Sequence, residues 1–166
     1  VFDLEKLRWL NGLYIRRLTT DELKKRLEPY IPDQFPRNKF AEILPLVMER
    51  LVVLKDFDSL TNFFYQTVRP DKELLLKKAT PELLTEQLTA TEMTLAAISS
   101  WHETELENAI RKLQEEKAWH KGQYFMMLRL AVTGKTATPP LFETMRVIGQ
   151  ETIMSRLQQA RKLVTE

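Results

Sequence analysis

Residues 127–143 read MLRLAVTGKTATPPLFE, an apolar helical run followed by a turn. Gly134 can adopt backbone angles that are closed to other residues. Pro139 and Pro140 fix φ and provide no N–H group, so the turn must precede a new helix. The stretch therefore predicts a corner between two helices, with Thr138 as the N-cap of the second.

Two basic side chains flank this corner. Arg129 lies in the apolar run and Lys135 lies in the turn. We expect the Thr138 hydroxyl and the free N–H groups of the next helix to point the same way, a combination that would suit an anion or a nucleobase. An ordinary capped corner without a ligand explains the same residues, so the pattern alone leaves both interpretations open.

Helical periodicity extends through the first half of the chain, and no run of alternating strand residues is evident. Thr19 and Glu22 have the spacing of a capping box, which predicts a helix that runs to about Leu27. A longer segment, residues 37–54, has a broad apolar face, and Pro45 should kink this helix or mark a late start of it. From Asp3 onward, an amphipathic helix is predicted by apolar residues at three- and four-residue steps: Leu4, Leu7, Leu10, Tyr14 and Leu18, with Trp9 beside them.

The second half is also helical. Thr80 followed by Pro81 marks a helix start, and the threonine-rich residues 89–94 are expected to break that helix. Ser100 and Glu103 form a second capping-box pattern. Gly149 is expected to end the helix after the corner, and residues 150–164 supply the last helix.

Apolar density is lost after Val68, and we place a boundary near residue 72. The aromatic residues between 56 and 65 are expected to belong to the core of the first part, because their spacing is helical. The predicted fold is all-α, with two packed helical subdomains formed by residues 1–72 and 73–166.

Composition sets further limits. The chain has 166 residues, of which 43% are hydrophobic and 29% charged, so a folded core is expected. It has no cysteine, which excludes disulfides and thiolate metal sites. No apolar run has the length of a membrane span, and no signal-peptide pattern is present. Because the chain does not begin with Met, we expect a fragment or a processed product.

The net charge of +2 is unevenly distributed. Residues 1–110 carry 15 Lys or Arg and 18 Asp or Glu, a net charge of −3, whereas residues 111–166 carry 10 and 5, a net charge of +5. An anionic partner is therefore expected to meet the C-terminal third, although a solvated charged surface would show the same imbalance.

Catalytic and metal-binding patterns are not found. His102 and His120 are too far apart in the sequence for zinc-ligand spacing and are expected at the surface or at helix caps. The four glycines, at positions 12, 122, 134 and 149, are too far apart to form a phosphate loop or a dinucleotide fingerprint. The residues therefore indicate a helical binding module with no catalytic or metal-ligating residues.

Two segments carry a family resemblance. Residues 2–16, FDLEKLRWLNGLYIR, resemble the helix that follows the catalytic part of bacterial-type glutamyl-tRNA synthetases. Residues 128–156, LRLAVTGKTATPPLFETMRVIGQETIMSR, resemble the end of the same enzymes. The resemblance implies the all-helical anticodon-binding region of a class I synthetase, which would bind tRNA(Glu) in the cytoplasm as a monomer.

The resemblance also implies what this chain would lack. The nucleotide-binding fold of the family, which uses ATP and Mg²⁺ to attach glutamate to tRNA(Glu), would lie upstream, and its two signature motifs are not in this sequence. The chain alone is therefore expected to need no cofactor and to be non-catalytic, although the full-length protein would be a glutamate–tRNA ligase.

Matching positions imply the anticodon-binding residues. Arg50 matches the Arg that monitors the third anticodon base in enzymes that separate glutamate from glutamine tRNA. The other anticodon bases would be held by residues in the C-terminal third: Arg111, Arg129, Thr138, Pro139 and Leu141. An Arg can bond or stack on an unstacked base, a Thr hydroxyl can bond its edge, and a Leu can pack on its face.

The sequence departs from the family pattern at two positions. Ala118 stands where glycine is common, and His120 replaces a usual basic residue. Two other functions remain open on the sequence: a helical protein–protein interaction module, and a synthetase-like paralogue that modifies or senses tRNA.

Overall fold

A computed structural model describes residues 3–166 of the chain. This range contains ten α-helices and no strand, which confirms the all-α prediction. Val1 and Phe2, the latter being the first residue of the resembling segment, lie outside the described residues. None of the helices in the described part of the chain combines the length and apolar character needed to cross a membrane.

Two compact units divide between Gln66 and Thr67. This division comes earlier than the boundary near residue 72 that the sequence predicts. Val68 is buried, and a β-carbon built on Gly134 would lie 3.1 Å from its side chain. The segment that follows Gln66 therefore packs with the second unit.

The first unit consists of short helices joined by turns. Its α-helices are α1 (Leu4–Arg17), α2 (Thr20–Leu27), α3 (Phe40–Met48) and α4 (Phe57–Thr61). Short 3₁₀ turns occupy Glu28–Tyr30, Arg37–Lys39, Leu54–Asp56 and Asn62–Phe64.

The second unit has longer helices. They are α5 (Lys72–Leu76), α6 (Pro81–Ala96), α7 (Glu103–Glu116), α8 (Lys121–Thr133), α9 (Leu141–Ile148) and α10 (Gln150–Thr165). The helix α10 packs against α5, α6, α8 and α9, and α7 packs against α6 and α9. Three helices, α7, α8 and α9, carry the residues of the site described below.

Aromatic rings form the core of the first unit, as the sequence predicts. The Phe57 ring is fully buried, and its centroid lies 5.3 Å from that of Phe35 and 6.0 Å from that of Phe40. Leu23 and Ile43 are also fully buried. Burial of these apolar side chains, each stabilising by roughly 1.5–3 kcal/mol, holds the short helices together.

A polar ladder between α6 and α8 crosses the core of the second unit. The Tyr124 hydroxyl lies 2.7 Å from Thr91 Oγ1, and Thr91 donates to the Gln87 carbonyl oxygen. The Gln87 and Gln123 side-chain amides also bond each other, at 2.9 and 3.2 Å. Burial raises the pKa of Tyr124 to about 12, so the phenol is neutral and can donate to Thr91 at physiological pH.

Several helix ends confirm the local predictions. Thr19 and Glu22 form the predicted capping box at the start of α2. Thr80 caps α6 by accepting from the Leu83 N–H, with Pro81 at the first helical position. Gly149 ends α9 with φ at 96°. These features depend on residues three or four positions apart, which the sequence alone reveals.

Three predictions of helix extent are wrong. The threonine-rich segment does not break α6, because Thr91 bonds the backbone one turn earlier and lets the helix continue to Ala96. Ser100 and Glu103 form no capping box, since α7 begins at Glu103 after an N-cap at His102 that makes no side-chain cap bond. The helix predicted to reach residue 54 ends at Met48, where the chain turns and buries Leu51.

The buried face of α1 also differs from the prediction. Gly12 and Ile15 are its buried residues. The apolar residues expected to form the packed face are instead largely solvent-exposed: Leu4, Leu7, Leu10 and Tyr14, together with Trp9. Periodicity located the helix correctly but could not show which side packs, because both sides carry apolar residues.

Candidate functional site

A cavity of about 610 Å³ opens between α7, α8 and α9 in the second unit. This volume is within the range of small-ligand sites. Its lining combines aromatic, aliphatic and charged side chains: Glu103, Thr104, Glu107, Arg111, Lys121, Gly122, Phe125, Arg129, Pro140, Leu141, Phe142 and Glu143.

Arg111 is held from two sides. Its Nε donates to Glu107 Oε1 at 2.7 Å, and Nη2 lies 2.6 Å from the same oxygen. The two residues are one helical turn apart on α7, so their side chains meet. The Arg111 Cζ atom also lies 5.5 Å from the Phe125 ring centroid and 6.0 Å from that of Phe142, within cation–π range.

Phe125 and Phe142 form two walls of the cavity. Their ring centroids are 6.0 Å apart and their planes are nearly perpendicular, at 89°. Phe125 lies one turn before Arg129 on α8, while Phe142 lies in the first turn of α9. The aromatic faces can therefore pack against a flat ligand beside the Arg111 guanidinium.

Thr138 holds Arg129 from behind the cavity. The Arg129 Nε donates to Thr138 Oγ1 at 3.0 Å, and that hydroxyl donates in turn to the Pro139 carbonyl oxygen at 3.0 Å. Thr138 is only 4% exposed, whereas Arg129 is partly exposed and lines the cavity. The hydroxyl thus orients the guanidinium that faces the ligand space.

The corner between α8 and α9 is built from local bonds. Gly134 ends α8 in the left-handed region, with φ at 70°, and donates to the Leu130 carbonyl oxygen at 2.8 Å. The Thr133 hydroxyl donates to the Arg129 carbonyl oxygen at 2.7 Å and accepts from the Lys135 N–H at 3.2 Å. These bonds fix the direction in which the chain leaves the helix that carries Arg129.

The prediction that Thr138 is the N-cap of α9 is wrong. Pro140 occupies that position, with no side-chain cap bond, and the helix begins at Leu141. An N-cap side chain accepts from the N–H groups of the second or third helical residue. A helix capped by Thr138 would have prolines at its first two positions, so it starts only after them.

The first turn of α9 contributes backbone donors to the cavity wall. The first N–H groups of any helix have no carbonyl partner within the helix. Leu141, Phe142 and Glu143 form this first turn and all line the cavity. Their N–H groups therefore have no partner within the helix.

The cavity has no excess of positive charge. Its lining contains the cations Arg111, Lys121 and Arg129, and an equal number of carboxylates: Glu103, Glu107 and Glu143. Carboxylates repel phosphate oxygens but accept from amino groups, whereas guanidinium groups donate to carbonyl and ring acceptors. This mixed set suits the edge of a neutral heterocycle better than a phosphate.

Four of the six predicted anticodon-binding residues lie at this cavity. Arg111, Arg129 and Leu141 line the cavity, and Thr138 adjoins it through Arg129. Pro139 is buried behind this surface, and Pro140 lines the cavity in its place. Arg50 belongs to the first unit, where it is exposed in the turn after α3. Their roles in binding stay predictions.

The sequence analysis did not identify nine of the twelve residues that line the cavity, among them Glu107, Phe125 and Phe142. Glu107 and Phe125 each precede a proposed Arg by four residues, so helical spacing from Arg111 and Arg129 could have indicated them. Phe142 follows Leu141 directly, and no local signal showed that its ring meets Phe125.

Both histidines lie at helix starts. His102 is the N-cap of α7, and His120 is the N-cap of α8, where its Nδ1 accepts from the Gln123 N–H at 3.2 Å. His102 makes no side-chain cap bond, but both histidines are exposed, so the predicted surface or capping location is confirmed. Within residues 3–166, no cluster of three or more His, Asp or Glu has the arrangement of a metal site.

Comparison with known proteins gives a consistent result. Residues 22–161 match a family model described as an anticodon binding domain. A glutamate–tRNA ligase of Roseiflexus sp. (strain RS-1) is 36% identical over 172 residues, covering 97% of the chain and 34% of that protein. A glutamate–tRNA ligase of Chloroflexus aurantiacus is 34% identical over 170 residues, covering 94% of the chain and 34% of that protein.

Solved structures show the same similarity. A glutamate tRNA ligase from Elizabethkingia meningosepticum superposes with a TM-score of 0.81 at 24% identity, covering 97% of this chain and 32% of that one. A glutamate-tRNA synthetase from Elizabethkingia anophelis gives a TM-score of 0.78 at 25% identity, with the same coverage. The chain thus spans about a third of the length of the relatives it matches.

Proposed function

Because the chain belongs to the anticodon binding domain family, we propose that it is the anticodon-recognising part of a glutamate–tRNA ligase and binds tRNA(Glu). The observation that carries this proposal is the cavity between α7, α8 and α9. It offers flat apolar walls and both donors and acceptors, which are the features that unstacked bases require.

One anticodon base would enter the cavity beside Arg111. One of the two perpendicular rings, Phe125 or Phe142, would stack on the base while the other contacts its edge, and such stacking contributes roughly 1–3 kcal/mol per base. Arg129 would donate to its edge, and Thr138 would keep the guanidinium in position through the bond to Nε. The proposal thus assigns Thr138 to positioning as well as to the base contact that the resemblance implies.

Arg50 would act separately, on the third anticodon base. It is exposed in the first unit and can reach solvent. A guanidinium is a rigid donor, so it can separate a cytosine, with its acceptors, from a larger and differently patterned guanine. We therefore expect Arg50→Gln to relax rejection of tRNA(Gln) in the full-length enzyme, and unchanged selectivity would remove Arg50 from the site.

The remaining activities would belong to the whole ligase. ATP and Mg²⁺ would serve the attachment of glutamate in the part of the protein that this chain does not span. Cytoplasmic location and a monomeric state would follow from this function, since a single copy of the chain supplies every residue of the cavity.

The test measures binding of the 166-residue chain to a tRNA(Glu) transcript and to the same transcript with a scrambled anticodon. We expect a clear preference for the natural anticodon. Arg129→Ala should reduce affinity for the natural transcript by about tenfold to a hundredfold, because base-contacting Arg residues contribute roughly 1–3 kcal/mol. It should have a smaller effect on the scrambled transcript.

Arg17→Ala is the matched control, since Arg17 is exposed on α1, in the other unit. Circular dichroism should show unchanged helicity in both variants. Equal affinity for natural and scrambled anticodons would contradict the proposal, because phosphate attraction alone gives no sequence preference.

A further inference from the structure

A second cavity lies on the other side of α8. Its volume is about 330 Å³, and it is bordered by α5, α8 and the corner that follows α8. Like the first cavity, it lies entirely within the second unit. None of the residues assigned to anticodon binding lines it.

The walls of this second cavity are apolar. Leu75, Met127 and Leu130 are buried. Leu74 and Met126 remain 39% and 37% exposed, so they present apolar surface to whatever enters. The Met126 thioether can contact an aromatic ring favourably, and its flexible chain adapts to the shape of the ring.

The rim of the second cavity is cationic. Lys77 and Lys78 are exposed at its edge, and within the described part of the chain neither has a carboxylate within ion-pair distance. The residues that line this cavity include no Asp or Glu. This composition contrasts with the first cavity, where three carboxylates balance three cations.

Gly122 borders both cavities. It lies in the first turn of α8, is exposed and adds no side chain to the boundary between the two cavities. An α-helix with its side chains is about 10–12 Å wide. A single-stranded RNA segment can therefore pass over Gly122 and place neighbouring nucleotides in the two cavities.

We propose that the second cavity binds the unpaired nucleotide next to the anticodon, with its base against Leu74 and Met126 and its phosphate at Lys77 and Lys78. The inference rests on the proposed function, because it needs an RNA loop at the first cavity. The two cavities would have different roles. The mixed charges of the first cavity bind the edge of a base, whereas the lysines of the second cavity neutralise a phosphate of the RNA backbone. A volume of about 330 Å³ lies at the low end of small-ligand sites, which suits a single nucleotide.

The experiment uses the 166-residue chain and the natural tRNA(Glu) transcript. Lys77→Gln/Lys78→Gln should reduce the slope of log Kd against log salt by about 0.7, since one phosphate lies at both lysines and each single-strand phosphate contact contributes about 0.7. The preference for the natural over the scrambled anticodon should remain, because that preference arises in the first cavity. The double variant Lys112→Gln/Lys162→Gln removes the same charge outside both cavities and should leave the slope nearly unchanged.

A second arm tests the base. Leu74→Ala/Met126→Ala should weaken binding about three- to tenfold, the range expected for thioether and aliphatic contacts with a ring. Two further transcripts carry an abasic site on one or the other side of the anticodon. One of them should bind the wild-type chain more weakly, and on that transcript the two alanine substitutions should have no further effect.

The outcomes separate the two proposals. If the wild-type chain prefers the natural anticodon but the Lys77 and Lys78 variants behave like the control, the second cavity does not bind the RNA. The inference would also be overturned if the alanine substitutions reduced the affinity for the intact and the abasic transcripts equally. If the wild-type chain shows no anticodon preference, the proposed function fails and the inference fails with it.

Discussion

Arg156 offers a stringent test of how the site is supported. It lies on α10, is only 6% exposed, and donates from Nη1 to the Val132 carbonyl oxygen at 2.7 Å. Val132 is in the last turn of α8, where carbonyl groups have no N–H partner within the helix. Arg156 therefore satisfies the end of the helix that carries Arg129.

Two opposing terms set the magnitude. Burial lowers the pKa of Arg156 from its ordinary value to about 10, which corresponds to a penalty of roughly 3 kcal/mol for the charged form. The bond from a charged donor to a buried carbonyl contributes about 1.5–3 kcal/mol. Arg156→Met keeps most of the volume and removes both terms, but it leaves the Val132 carbonyl oxygen without this donor, so we expect the free energy of unfolding to fall by about 1–3 kcal/mol. Arg156→Ala also opens a cavity, at a cost of about 2–5 kcal/mol.

Urea unfolding followed by tryptophan fluorescence measures this difference. Trp9 lies on α1 in the first unit, whereas Trp101 and Trp119 lie in the second. In a Trp9→Phe background the signal reports the second unit alone. If Arg156→Met lost as much stability as Arg156→Ala, the charge and its bond would outweigh the desolvation penalty and the reasoning would be refuted. No loss in Arg156→Ala would show that the side chain is not packed as described.

Three further predictions concern single helices. Hydrogen bonds from the Thr19 backbone N–H and hydroxyl lower the pKa of Glu22 below 4.5. The capping box therefore stabilises α2 above pH 4.5, and this stabilisation is lost as the pH falls through the pKa of Glu22 in the folded protein. In an NMR titration, Thr19→Ala should raise the pKa of Glu22 without restoring 4.5, because the backbone bond remains; an unaltered value would argue against the hydroxyl bond. Ala118 has φ at 52°, in the left-handed region, where a residue with a β-carbon is strained by about 1–2 kcal/mol. Ala118→Gly should therefore raise the free energy of unfolding, measured in urea, by about 0.5–1 kcal/mol. A lower free energy of unfolding in this variant would contradict the strain. Tyr124→Phe removes the hydroxyl bonded to Thr91 and should lower the free energy of unfolding by about 1–2 kcal/mol in the same assay; an unchanged urea midpoint would rule that contribution out.

The family departure at Ala118 now has a structural explanation. The Ala118 N–H donates to the Glu115 carbonyl oxygen and the Trp119 N–H donates to that of Gln114, which is the hydrogen-bond pattern of a Schellman motif. That motif requires a left-handed residue at the position of Ala118. Glycine adopts this conformation without strain, which fits the glycine that the resemblance leads us to expect there.

The sequence alone determined several helix ends, namely the starts of α1, α2 and α6 and the ends of α2 and α9. Asp3 accepts from the Glu5 and Lys6 N–H groups, as a helix start at Asp3 requires. Gly134 and Gly149 end their helices with positive φ. Such signals act between residues a few positions apart, so they can be recognised from the sequence without the tertiary structure. The two segments of family resemblance likewise needed only the order of residues.

Only the tertiary structure decided which side chains share a surface. It placed Thr138 behind Arg129 instead of at a helix cap, and it exposed the apolar face of α1. It also joined Phe125 and Phe142, which lie on different helices, around the Arg111 guanidinium. These features depend on contacts between segments far apart in the chain. Their energies come from burial and geometry that no local pattern records, because periodicity gives the faces of a helix but not the partner of each face.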